Sequence, residues 1–175
     1  SGKDLGSNFV KDIIEDKKGN IWVATSNGIS KISPNLKKIK QYNTKNKRLH
    51  FNRINTLWED RSGRIWYGTH GRGLGIIGTN SPQVLDFKSG LSSNIIRDLT
   101  EDKKGNLFIA TAGNGVDIVY PYKQPYESVN LSYQNGLSSI NIYSVFCDEQ
   151  NVLWIGGDKG VDKIVNPGNN KRVVN

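Results

Sequence analysis

The sequence predicts an all-β fold assembled from four copies of one unit, and three observations carry that prediction. The first is a recurring signature: Glu15-Asp16-Lys17-Lys18-Gly19-Asn20-Ile21-Trp22 returns as Glu59-Asp60-Arg61-Ser62-Gly63-Arg64-Ile65-Trp66 and as Glu101-Asp102-Lys103-Lys104-Gly105-Asn106-Leu107-Phe108. A more worn copy reads Cys147-Asp148-Glu149-Gln150-Asn151-Val152-Leu153-Trp154. The aspartates at 16, 60, 102 and 148 are separated by 44, 42 and 46 residues, and each precedes its aromatic by six. The second observation is that every copy resolves into short β-rich runs, none of them periodic enough at 3.6 residues to support a helix. The third is a leucine that introduces each copy, Leu5, Leu49, Leu91 and Leu137, followed three residues on by Asn8, Asn52, Asn94 and Ile140. A period of about 40–50 residues carrying several short strands indicates propeller blades or another stacked array. Function is then expected on a surface that the units build together, not in one catalytic cleft.

Within the first unit, residues 10–15 form an apolar-rich strand. The turn Asp16-Lys17-Lys18-Gly19 follows, with glycine where a left-handed φ is inexpensive and aspartate placed to accept backbone N–H groups across the turn. Residues 21–25 (Ile-Trp-Val-Ala-Thr) are dense in β-branched and aromatic side chains and make the second strand. Residues 29–32 give a third, and the more polar residues 37–42 a fourth, outermost strand. The second unit repeats the order over 53–59, 65–69, 74–77 and 84–87. The third does so over 95–101, 107–111, 116–119 and 128–131, and the fourth over 141–147, 153–156, 161–165 and 172–174. The unit boundaries fall at 5–46, 47–90, 91–136 and 137–175. Gly90-Leu91-Ser92-Ser93 and Gly136-Leu137-Ser138-Ser139 read as turns crossing from the outer strand of one unit to the inner strand of the next, with the leucine packed between units.

Composition narrows the function classes. At 175 residues and 35% hydrophobic content, the chain is of ordinary domain size. It has no apolar run of about 18 residues and no visible signal peptide. It lacks methionine and begins Ser1-Gly2-Lys3, so residues 1–4 read as a tag or linker and the chain as a segment cut from a longer protein. Cys147 is alone, which rules out an internal disulfide. It fills a slot held by glutamate in the other three copies, and reads as a small residue at a strand end. The net charge is +8, and residues 17–58 contain Lys and Arg but no Asp or Glu. Lysines on a peripheral strand blunt a sheet edge against unwanted pairing. An anionic ligand or partner is the second reading of that run. Nucleic acid is not expected, because the nearby aromatics recur with the repeat period and so read as core, not as a stacking platform.

The unit I-x-x-I-x-E-D-x-x-G-x-[IL]-W-[IV]-[AG]-T-x-x-G-[IL] resembles the regulator propeller repeat found in the extracytoplasmic sensing part of hybrid two-component histidine kinases, particularly those of polysaccharide-degrading gut bacteria. The resemblance covers almost all of residues 5–175. It implies a β-propeller of four blades, each of four antiparallel strands, forming a partial ring or half of a dimeric ring. It further implies a periplasmic, non-catalytic sensor segment that contributes to oligosaccharide recognition and signal transmission, with a protein–protein scaffold as the alternative. Family members carry enough repeats for one or two seven-bladed rings, then an immunoglobulin-like domain, a membrane helix and a kinase. Here there are only four repeats, with Phe108 replacing Trp in the third and Asn151 replacing Gly in the fourth. Incomplete closure leaves an apolar face at each end, since a blade buries its faces only against neighbours, and this predicts homo-oligomerisation. A membrane contact would be made only by other parts of a longer protein.

Trp22, Trp66, Phe108 and Trp154 sit at a fixed place in the second strand and read as inter-blade packing. Asp16, Asp60, Asp102 and Asp148 read as turn caps, being whole blades apart where paired glycosidase carboxylates must lie about 5–10 Å from each other. No catalytic residue, cofactor or metal set is expected. Candidate ligand contacts are placed instead on the loops between second and third strands, because loops on a rigid scaffold carry binding. Those residues are Asn27, His70, Arg72, Asn114, Asp158 and Lys159, joined by Arg48 and His50 from an inter-blade connection. Such a rim is rich in amides and cations and suits an oligosaccharide or polysaccharide fragment, including an anionic one. Arg72 has the geometry for a bidentate contact with a carboxylate or sulfate.

Overall fold

The computed structural model describes residues 5–78, 84–121 and 126–167, and they are all-β. Strands β1 (Val10–Glu15), β2 (Ile21–Thr25), β3 (Gly28–Ile32) and β4 (Ile39–Tyr42) form the first antiparallel sheet, in that order. Strands β5 (Ile54–Glu59), β6 (Ile65–Thr69), β7 (Leu74–Ile76) and β8 (Val84–Leu85) form the second. Strands β9 (Ile96–Glu101), β10 (Leu107–Thr111), β11 (Val116–Tyr120) and β12 (Glu127–Leu131) form the third. The fourth contains β13 (Ile142–Cys147), β14 (Val152–Gly157) and β15 (Gly160–Val165), and the outer strand expected at 172–174 lies outside the described residues. Short 3-10 turns at Phe87–Ser89 and Tyr133–Asn135 lead into the second and third connections, and each ends on a left-handed glycine, Gly90 or Gly136. The expected crossing turns are thus tightened into single helical turns.

The core lies between the sheets. The first cluster joins Trp22, Ala24, Ile29 and Tyr42 to Leu49, Ile54, Leu57, Ile65 and Tyr67 of the second sheet. The next joins Trp66, Leu74, Ile76 and Leu85 to Leu91, Ile96, Leu99 and Leu107. The last joins Phe108, Val116, Ile118 and Leu131 to Leu137, Ile142, Val145 and Leu153. Each introducing leucine from the second repeat onward therefore packs in a junction, and so do Trp22, Trp66 and Phe108. Inner strands touch in sequence, β1 to β5, β5 to β9 and β9 to β13, as in a propeller. No closed ring forms among the described residues. Ile13 is 59% exposed, whereas Leu57 and Leu99, one and two repeats later, are each 2% exposed. At the other end Trp154 is 39% exposed, against 0% for Trp66.

The repeated turns are built alike. Asp16 Oδ1 accepts the N–H groups of Lys18 and Asn20 at 3.0 and 2.8 Å, and Asp60, Asp102 and Asp148 do the same two and four residues on. The second carboxylate oxygen takes the indole N–H of Trp22, Trp66 or Trp154, each at 2.8 Å. Phe108 has no such donor, and the Asn106 side-chain amide supplies it to Asp102 at 2.8 Å. Burial pushes Asp60 upward, but the bonds from Trp66 and Arg64 outweigh it and hold the carboxyl below its ordinary value.

Polar links also cross every junction. The Lys17 N–H donates to Glu59 Oε2 at 2.8 Å, and the Arg61 N–H to Glu101 Oε2 at 2.8 Å. In the fourth repeat Cys147 occupies the glutamate slot, and the Lys103 N–H donates to Asn151 Oδ1 at 3.0 Å instead. The two departures of the fourth repeat are therefore one change: Asn151 adopts φ +61° at the glycine position and supplies the lost acceptor. Burial, with the carboxylates of Asp102 and Asp148 nearby, pushes the Cys147 thiol up to about 11, which keeps it protonated at neutral pH.

Candidate functional site

The loops joining second to third strands and the connections that open each repeat meet along one rim. In every repeat the first loop residue is tied to the start of its own inner strand: Ser26 N–H to Phe9 O, His70 N–H to Arg53 O, Ala112 N–H to Ile95 O and Asp158 N–H to Asn141 O. The next tie runs to the following repeat: Gly28 N–H to Asn52 O at 2.7 Å, Gly73 N–H to Asn94 O at 2.8 Å and Gly115 N–H to Ile140 O at 2.7 Å. These glycines have φ of +105°, +72° and +80°, and at Gly73 a Cβ would sit 2.1 Å from the Leu85 carbonyl oxygen. The residue three beyond each introducing leucine is thus the backbone socket for the preceding loop, whatever its side chain.

Several of the sequence-derived candidates spend their polar atoms on this scaffold. Asn27 donates to Gly6 O at 3.1 Å and accepts from Asn52 at 3.4 Å. Asn114 donates its side-chain amide to Ser92 O at 2.9 Å. Asp158 accepts from the Ser139 hydroxyl and, at 3.4 Å, from Asn141; the Ser139 bond leads in holding its carboxyl low. Lys159 lies over the Tyr133 ring at 5.3 Å and Arg48 over Tyr42 at 5.5 Å. His50 has both ring nitrogens engaged, Nδ1 with the Tyr67 hydroxyl at 2.7 Å and Nε2 with Arg72 O at 2.8 Å. Burial lowers the His50 pKa and pushes the Tyr67 phenol up to about 12.

His50 replaces a device used elsewhere. In the third repeat the residue after the introducing leucine, Ser92, donates its N–H and hydroxyl to Asp117 Oδ2 at 2.8 and 3.0 Å. In the fourth, Ser138 does the same to Asp162. In the second repeat the Asp117 position is Gly75, where a Cβ would stand 2.3 Å from Tyr67 Cζ. The phenol occupies that space and bonds His50, so Gly75, Tyr67 and His50 form one matched set.

Two candidates keep exposed side chains with neither a hydrogen bond nor a ring contact among the described residues: His70 and Arg72, both on the β6–β7 loop. The backbone under them is fixed. Arg72 N–H donates to Thr69 Oγ1 at 2.9 Å, Gly71 N–H to Asn94 O at 3.0 Å, and Arg72 O receives His50. Exposed Arg53, bonded to His70 through its backbone, joins the same corner. Sequence reasoning did not single out Arg53 as a ligand contact, although its place directly before β5 and its charge were both visible.

A hollow of about 290 Å³ lies at the opposite end of the first junction, lined among others by Asp16, Lys17, Lys31, Glu59 and Arg61. Three of its four cations are committed: Lys17 Nζ donates to the carbonyls of Asp60 and Arg61, Lys31 sits 4.7 Å over the Trp22 ring, and Arg61 pairs with Glu101 at 2.9 Å. Part of the basic run at 17–58 thus serves the junction.

Residues 4–27, 90–113 and 136–159 match the two component regulator propeller family model. Three of the four repeats are thus similar to two component regulator propeller repeats. No curated protein matches the chain. Among solved structures, the extracellular domains of two putative hybrid two component systems from B. thetaiotaomicron superpose with TM-scores of 0.80 and 0.79, each at 26% identity. They cover 91% and 95% of this chain, which spans only 22% and 25% of theirs. Virginiamycin B lyase from Staphylococcus aureus shares the fold at TM-score 0.71 and 15% identity, with 95% of this chain and 54% of the lyase covered. Two of the structures that this chain resembles are thus extracellular domains of putative two component systems, and no described helix of this chain is long and apolar enough to cross a membrane.

Proposed function

We propose that this chain is a non-catalytic segment of the periplasmic sensor region of a hybrid two-component signalling protein, where it contributes to oligosaccharide recognition and passes the binding signal on. The observation that supports this reading most is the β6–β7 corner, where His70 and Arg72 present free cationic and imidazole groups on a backbone held by Thr69, Asn94 and His50. A guanidinium carried on a held backbone suits sugar hydroxyls, carboxylates or sulfates. The kinship of the repeats with extracellular regions of two-component systems supports the cellular setting. The lyase shares only the fold, and fold does not carry chemistry with it.

Glycan-array screening followed by calorimetry of the purified chain tests this. Binding that falls at least tenfold in Arg72→Ala, with unfolding unchanged, is the expected result. Absence of binding to every glycan, together with capture of a defined protein partner by the rim, would favour the scaffold reading. Turnover of a polysaccharide would overturn the non-catalytic assignment.

A further inference from the structure

At the opposite end of the first sheet from the rim, a basic turn holds an apolar residue in a costly conformation. In an antiparallel meander the β1–β2 and β3–β4 turns lie at the same end, and here they touch: a Cβ at Gly19 would stand 3.5 Å from Pro34 Cγ. The β3–β4 turn is fixed by its own groups. Ser33 N–H donates to Lys38 O at 2.9 Å, Leu36 N–H to Ser33 O at 2.8 Å, and Lys38 N–H to Ser33 Oγ at 3.1 Å. Asn35 Oδ1 accepts the Lys37 N–H at 3.1 Å and the Ser33 hydroxyl at 2.7 Å. The tip of this turn is Leu36, with φ +57° and 72% of its surface exposed. A large side chain is a genuine outlier in that backbone region, and Leu36 belongs to no core cluster that would repay it. Strain held in place by the surrounding turn is a mark of function. The charge around Leu36 is of one sign: Lys17, Lys18, Lys37 and Lys38 are all exposed, and residues 17–58 contain no Asp or Glu. Asp16, Asp60 and Asp102 are buried as turn caps, so Arg61, Lys103 and Lys104 extend the basic surface over the turns of the next two sheets. The exposed carboxylates at this end lie apart from the tip, Glu15 on the inner strand and Glu127 and Glu149 on the third and fourth sheets.

We propose that this end of the first blade docks on an anionic lipid bilayer, with Leu36 entering the headgroup layer and Lys18, Lys37 and Lys38 lying over lipid phosphates. A bilayer fits the tip better than a protein partner does. Protein interfaces gather aromatic and apolar groups at their centre and are depleted in lysine, whereas an apolar residue ringed by lysines is the composition of segments that bind anionic membrane surfaces. Composition alone assigns no membrane contact to this segment; the left-handed backbone that leaves Leu36 in water is visible only in the fold. The surface shares no residue with the β6–β7 corner, so it does not depend on sugar recognition there.

Cosedimentation of the 175-residue chain with vesicles at physiological ionic strength tests this. The chain is expected to bind vesicles of phosphatidylglycerol and phosphatidylcholine in equal parts, and not vesicles of phosphatidylcholine alone. Leu36→Asn should bind about tenfold more weakly, having lost the buried apolar group, while its thermal unfolding holds or rises because asparagine tolerates the left-handed region. Lys37→Gln with Lys38→Gln should weaken binding by about 25-fold, from two charges near the surface. Circular dichroism confirms that each variant is folded. A wild type that ignores phosphatidylglycerol would overturn the proposal. So would Leu36→Asn binding as tightly as the wild type, which would reduce the contact to charge alone. Capture by soluble dextran sulfate, with no binding to either vesicle, would overturn it in favour of a free polyanion.

Discussion

Replacing Cys147 and Asn151 together, and separately, measures how the fourth repeat was rebuilt. Asn151→Gly removes the Oδ1 that accepts the Lys103 N–H at 3.0 Å. A net hydrogen bond of this kind is worth about 1 kcal/mol. The glycine relieves a left-handed backbone, φ +61°, but asparagine tolerates that region well, and glycine's extra unfolded-state freedom offsets roughly 0.5–1 kcal/mol of the gain. The single variant should lose about 1 kcal/mol. Cys147→Glu alone adds a carboxylate where the one available N–H is already taken and where Asp102 and Asp148 repel it, so it should gain nothing. In the Asn151→Gly background the same glutamate finds the Lys103 N–H free, as Glu59 and Glu101 find theirs, and the bond returns. The coupling energy between the two sites is then about 1 kcal/mol, well outside the additivity expected of independent sites. Urea unfolding of the four proteins at neutral pH, under reducing conditions and at low micromolar concentration, gives the cycle. Additivity within about 0.3 kcal/mol would refute the claim that Asn151 stands in for the missing glutamate.

Two further outcomes follow from the packing and the half-buried His50. Leu57→Ala empties a site that is 2% exposed in the first junction and should cost about 3 kcal/mol in urea unfolding; a loss below about 1 kcal/mol, the size of an ordinary point change, would mean that the core is not where the sheets meet. His50 has its pKa lowered by burial, so the unfolded chain takes up its proton first as the pH falls. Stability from this group is complete above the unfolded value near 6.5, is lost as pH drops below it, and levels off beneath the folded value. The wild type should therefore lose more stability than His50→Gln between pH 7 and 5, and equal slopes would contradict the half-buried, neutral imidazole.

Much of the fold was legible because its determinants are local and repeated. Asp16 with Gly19 specifies a turn within a few residues, and Leu91 with Gly90 marks a crossing without reference to anything distant. Strand ends differed by a residue or two, and the run ending at Phe87 turned out to curl into a 3-10 turn after Leu85. The functional rim was less legible. His50 looked available because its polar surroundings, Tyr67 and the Arg72 carbonyl, are 17 and 22 residues away. Asn27, Asn114 and Asp158 carry side chains suited to a sugar, yet the same chemistry holds loops to connections. The exchange of Asp for Gly75, Tyr67 and His50 could not be read from any one position, because it is a volume and a hydrogen bond traded across three strand and loop sites.

The junction links have a bearing on how such chains change over generations. Since each link uses groups from only two adjoining repeats, a copy can be gained or dropped by recombination while every surviving seam keeps its own fittings. Drift is policed seam by seam. A residue such as Cys147 persists when a neighbour like Asn151 takes over its duty, and selection need not consult the far end of the molecule.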